Sequence, residues 1–188
     1  FYFYMKYSKL LDKINKADFI KFPFNYLYIE NFIPRDDFLL MINDSQVILK
    51  EAKNDIDLIN LLQKGEWEPI HFPGCTKEID DYISWRKNNS EFDNVNTCEG
   101  FGITFRLKEP RSKLLNDYID FFKSDEFKNC LCEKFKLNKN QMIFDTGLQK
   151  YLDGYEISPH PDVRKKALTF MLNVNSNPNS EKEFHHAH

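Results

Sequence analysis

Residues 148–175 read LQKYLDGYEISPHPDVRKKALTFMLNVN, and the fold turns on how this stretch is read. His160 and Asp162 stand two apart at its centre, flanked by Pro159 and Pro161. Side chains along an extended strand alternate faces, so a strand would place the imidazole and the carboxylate on the same side. Those two groups can take adjacent positions on one metal ion, with a third ligand supplied from elsewhere in the fold. Two imidazoles and one carboxylate on one face, with open positions opposite, is the donor set of non-haem Fe(II) sites that activate oxygen. A His-x-Asp triplet is short, and the same residues also read as a solvated polar strand end. Pro161 suits either reading, because it lacks a backbone donor and belongs at a strand edge or end.

The flanks place the triplet between two strands. Upstream, Met142–Tyr151 is an apolar-rich run followed by the turn signal Leu152-Asp153-Gly154, and Tyr155–Pro159 leads into the triplet. Downstream, Arg164-Lys165-Lys166 is a polar connection. Ala167–Val174 is a nearly continuous strand signal interrupted by Asn173, and residues 175–180 (NSNPNS) form a turn cluster.

With Tyr151, Gly154-Tyr155, Pro159-His160-Pro161-Asp162, Arg164 and Thr169–Asn175 in view, the chain resembles the 2-oxoglutarate- and Fe(II)-dependent oxygenases, in the branch near the prolyl hydroxylases. Residues 23–44 (PFNYLYIENFIPRDDFLLMIND) are similar to the strand-then-helix opening of those domains. The resemblance implies that His160 and Asp162 are two of three iron ligands. It also implies that Tyr151 and Gln149, on one strand face, contact 2-oxoglutarate. Asn173, which shares a face of the next strand with Thr169 and Met171, is a further co-substrate candidate. The alternative for Tyr151 is a core aromatic with its hydroxyl at the rim.

Implied with the family are Fe(II), 2-oxoglutarate as co-substrate, ascorbate as an accessory reductant, and hydroxylation of a substrate with release of succinate and CO2. The family's distal His and the basic residue after it have no counterpart, since only 26 residues follow Asp162. His185, His186 and His188 are expected to begin a third barrel strand or to be an end effect. Remaining strands of ~5–6 residues plus turns would not fit that length, so the chain is expected to be the front part of a larger oxygenase. The alternatives are a non-catalytic jelly-roll structural or binding protein, and a cupin-type metalloenzyme that does not use 2-oxoglutarate.

The expected fold is α+β: a double-stranded β-helix, or jelly roll, with N-terminal and flanking helices, its barrel incomplete. One domain is expected over 1–188, with a helical and irregular scaffold over about 1–140 and the first barrel strands over about 141–188. Apolar residues make up 41% of the 188 and aromatics 15%, including 18 Phe, enough for a substantial core. The net charge of −3 offers no basic footprint for nucleic acid. No stretch approaches a membrane span, and the short aromatic start is not expected to act as a signal peptide. The cysteines Cys75, Cys98, Cys130 and Cys132 lack zinc spacing, which fits reduced thiols in a cytoplasmic protein. Cys130 and Cys132 are expected on different faces of a helix.

Along the rest of the chain, Lys6–Lys16 is expected to be helical, Asn25–Phe32 a strand, Pro34–Asn43 a helix, and Ser45–Lys64 a helix stopped by Gly65. Residues 66–96 are the least regular part. The resemblance implies that such a segment covers the substrate side, which makes Trp67, His71 and Trp85 substrate-pocket candidates beside a more ordinary role in packing or at the surface. Gly102–Leu107 alternates like a strand. Ser112–Lys123 and Asp125–Phe135 carry helical apolar stripes and are expected to pack outside the sheet. The substrate and oligomeric state are not legible.

Overall fold

The structure, a computed structural model, describes residues 2–48, 51–71, 78–88, 102–152, 154–155 and 166–174. It is α+β. Six α-helices and a small three-stranded antiparallel sheet are found among the described residues. Residue contacts divide the chain into two compact units. The first comprises Phe1–Ile48, Ser112–Thr146 and Ala167–His188; the second comprises Leu49–Arg111 and Gly147–Lys166.

The first unit is helical: α1 (Tyr2–Lys16), α2 (Arg35–Ile42), α5 (Lys113–Lys123), α6 (Asp125–Phe135) and a short 3₁₀ turn at Lys139–Gln141. Tyr7, Leu10 and Ile14 of α1 recur at three- and four-residue spacing and are buried. The Tyr7 ring stacks on Phe121 at 4.4 Å and meets Tyr118 edge-on at 5.6 Å. Ser112 and Ser124 cap α5 and α6, their hydroxyls accepting 3.2 Å bonds from the Leu115 and Phe127 amides. Ser124 also ends α5, so one residue separates the two helices. Lys136, in the left-handed region at φ 56°, closes α6. Lys134 reaches back to the carbonyls of Asn15 at 2.8 Å and Ala17 at 2.6 Å, occupying orphan acceptors at the end of α1. A polar latch joins α1, α2 and α5: Asp37 accepts from the Tyr118 hydroxyl and pairs with Lys6, each at 2.6 Å.

Residues 25–32 do not form the expected strand. A single antiparallel bridge joins Ile20 to Tyr26, and Asn31 turns the chain through the left-handed region at φ 51°. An extended run cannot continue through that turn. Pro34 precedes the first helical residue instead of occupying it. Residues 168–174, expected as a strand, lie outside the three-stranded sheet. They nevertheless alternate between half-buried and exposed, with Leu168, Phe170, Leu172 and Val174 inward and Thr169, Met171 and Asn173 outward. Phe170 packs on Phe122 and Phe127 of the two capped helices, at 5.9 and 5.2 Å.

The second unit holds α3 (Asp55–Lys64), β1 (Trp67–Ile70), α4 (Ile79–Asn88), β2 (Thr104–Leu107) and β3 (Gln149–Tyr151). The expected helix over 45–64 is shorter, starting where the Asn54 side chain accepts from the Asp57 amide at 2.9 Å. It ends at Gly65, but the left-handed residue is Glu66, at φ 65°. The sheet order is β1-β2-β3, with Trp67 opposite Leu107, Phe105 opposite both Pro69 and Lys150, and Thr104 opposite Tyr151. Trp67, Phe105 and Leu107 are buried on one face. A 3.3 Å pair between Arg86 and Asp55 links α4 to α3.

Candidate functional site

Register alone fixes which side chains of the second unit share a face, because residues directly opposite point the same way. One face carries Trp67, Pro69, Phe105, Leu107 and Lys150. The other carries Glu68, Ile70, Thr104, Arg106, Gln149 and Tyr151. The co-substrate candidates Gln149 and Tyr151 therefore fall together, and they touch: the Tyr151 hydroxyl donates to Gln149 Oε1 at 2.6 Å. Tyr151 is 42% exposed, so its phenol reaches solvent and is not a core aromatic. Its ring also lies 4.5 Å from that of Tyr155.

Thr104 sits directly across from Tyr151. It is fully buried, and its hydroxyl has no hydrogen-bond partner. Arg106, next along that face, is half-buried and lies over Gly147, where a Cβ would come within 3.1 Å of the arginine Cδ. The face thus gathers a phenol, a primary amide, a secondary alcohol and a guanidinium. The phenol, amide and guanidinium can donate to an anionic oxygen, whereas the Thr104 hydroxyl has no accessible surface. Thr104 has no motif to announce it; the only signal for it is the period-two alternation of residues 102–107.

The strand's outlet is held by two close approaches. Gly154 adopts φ +79°, and a Cβ there would stand 2.2 Å from the Trp85 ring. Gly102 donates its amide to the Gly154 carbonyl at 2.6 Å, and a Cβ on Gly102 would meet the Tyr155 backbone at 2.0 Å. Only glycine fits either position.

His160 and Asp162, the proposed metal ligands, lie outside the described residues, as do Arg164, His185, His186 and His188. Among the described residues no three His, Cys, Asp or Glu side chains converge. Asn173 is exposed in the first unit, on the outward side of residues 168–174. Of the substrate-pocket candidates, Trp67 is buried in the sheet's apolar face, Trp85 covers Gly154, and His71 is exposed.

On the apolar face, Lys150 Nζ stands 4.8 Å from the Trp67 ring centroid. Burial disfavours its charged form and brings its pKa down to about 8. A cavity of ≈ 420 Å³ lined by Pro69, Glu78, Ile79 and Asp80 opens at the start of α4. In the first unit, Cys130 and Cys132 are both buried, and Cys130 Sγ lies 3.4 Å from Asn15 Oδ1 of α1. Burial raises the Cys130 thiol pKa, which lowers its reactivity. No described helix is long and apolar enough to cross a membrane. No protein-family model, curated protein or solved structure shows a significant match to this chain.

Proposed function

We propose that the protein is an Fe(II)- and 2-oxoglutarate-dependent dioxygenase that hydroxylates a substrate, and that β1, β2 and β3 belong to a double-stranded β-helix. The observation that carries the reading is the pairing of Gln149 with Tyr151 on one strand face, nine residues before His160. The donor set fits a dicarboxylate. Tyr151 donates to Gln149 Oε1. An arriving carboxylate replaces that oxygen as the phenol's acceptor, and the Gln149 amide NH2 supplies a second donor.

His160 and Asp162 would hold the iron through an imidazole nitrogen and a carboxylate oxygen. Bound iron and 2-oxoglutarate together supply oxidation of the substrate by O2, coupled to decarboxylation of the co-substrate to succinate. This chain's part is to fix the co-substrate by Tyr151 and Gln149 and to hold the strand outlet through Gly102, Gly154 and Trp85. Uncoupled turnover tests the proposal. With Fe(II) in air and the third iron ligand supplied, the protein is expected to convert 2-oxoglutarate to succinate slowly without substrate, and His160→Ala and Asp162→Ala are expected to lose that conversion. Equal conversion by parent and variants would contradict it.

A further inference from the structure

Residues 168–174 read LTFMLNV and alternate as an extended strand does, with Leu168, Phe170, Leu172 and Val174 half-buried and Thr169, Met171 and Asn173 exposed. They lie outside the three-stranded sheet. Among the described residues, the main chain of Leu168, Phe170 and Leu172 makes no hydrogen bond. The N–H and C=O groups of alternate residues point to the same edge of a strand. One edge of the segment is therefore open from Leu168 to Leu172. Exposed strand edges are ordinarily blunted by lysine, proline or a bulge. This one carries no charged residue and no proline. It is also anchored, because Phe170 packs on Phe122 and Phe127 of the two capped helices.

The segment is its own complement. Laid antiparallel against a second copy, with Met171 facing Met171, it sets Phe170 opposite Leu172 and Leu168 opposite Val174. Those are the residues whose N–H and C=O groups face the open edge, so they form the hydrogen-bonded pairs. Thr169 falls opposite Asn173, a polar pair on the exposed face. No like charges meet, and the half-buried apolar row of one copy continues that of the other. A slip of one residue would set apolar side chains against polar ones. We propose that residues 168–174 are the contact of a symmetric dimer, pairing antiparallel with the same residues of a second copy about a twofold axis at Met171. The contact uses the first unit alone and does not depend on the oxygenase reading.

The test is the oligomeric state of the full chain, measured by sedimentation equilibrium over a range of concentrations. The parent is expected to be a dimer in equilibrium with monomer. Met171 is 60% exposed, so replacing it spares the core. Met171→Lys places two ammonium groups face to face at the axis and is expected to weaken the dimer by at least about tenfold, as is Met171→Glu with two carboxylates. An equimolar mixture of the two variants is expected to recover the dimer, since lysine then faces glutamate. Under mild oxidation Met171→Cys is expected to cross-link to its own copy, whereas Thr169→Cys, which faces Asn173 across the strands, is not. A parent that stays monomeric would overturn the proposal and leave the edge to a strand of another protein. A dimer indifferent to Met171→Lys, or growth into open-ended assemblies, would also overturn it.

Discussion

The Tyr151 hydroxyl donates to Gln149 Oε1 at 2.6 Å, two residues back along β3 and on the same face of the sheet. The bond keeps two polar groups oriented without fixing them to the core. Tyr151→Phe removes the phenol's hydrogen bond at a position already 42% exposed. Its ligand-free stability is expected to change by less than about 0.5 kcal/mol. Its affinity for 2-oxoglutarate is expected to fall about tenfold, read by anaerobic titration in the presence of Fe(II).

Lys150, between those two residues in sequence, points to the opposite face and lies over Trp67. Its folded pKa, about 8, is below the ordinary lysine value of 10.5 because burial penalises the charge. Above pH 8 the unfolded chain holds more protons than the folded one, so stability is expected to rise with pH from about 8 toward 10.5. Below that window the full penalty is present. Lys150→Met is expected to stabilise the protein at pH 7 by roughly 1–2 kcal/mol and to flatten the alkaline rise, the Trp67 contact offsetting part of the gain. Urea unfolding at pH 7 and pH 10 measures both.

Gly154→Ala meets two penalties at once, the positive φ and the Trp85 ring. The expected loss is about 2 kcal/mol or more in urea unfolding. In a Trp85→Ala background the steric part is gone, and the same substitution is expected to cost about 1 kcal/mol, the backbone part alone. Equal costs in the two backgrounds would remove the ring from the explanation.

In the first unit, Tyr118→Phe strips one of two partners from Asp37 and leaves Lys6 as the other. A cost of about 1–2 kcal/mol is expected. In an Asp37→Asn background the cost is expected to shrink, and a double-mutant cycle gives the coupling. The buried tyrosine of this latch, Tyr118, keeps its proton well above the ordinary phenol range, through burial and then the Asp37 bond.

The capped helices were the most legible part of the chain. Ser112 and the stripe Leu114, Leu115, Tyr118, Phe121 and Phe122 announce α5; Ser112 caps it, Leu115, Tyr118 and Phe121 are buried, and Leu114 and Phe122 are half-buried. The strand β2 was legible from its alternation. By contrast, β1 was hidden by Pro69, a residue that argues against a strand. It is tolerated because β1 is an edge of the sheet, where a missing donor costs least. The helix α4 was only partly legible because Tyr82 is its sole deeply buried residue, so no apolar stripe marks it. Residues 25–32 misled through their alternating aromatics, since a pattern of side chains cannot show that Asn31 will turn the backbone. At the candidate site, spacing two apart correctly placed Gln149 and Tyr151 on one face. The full burial of the Thr104 hydroxyl was not legible, because it arises only when β2 and β3 pair.

The most direct measurement is an anaerobic titration of the protein with Fe(II) and 2-oxoglutarate, watched for the visible charge-transfer band of the bound pair, in the parent and in His160→Ala. The account predicts a saturable band in the parent that is lost in the variant. A band that survives in His160→Ala, or no band even when the third iron ligand is supplied, would contradict the assignment of the iron site.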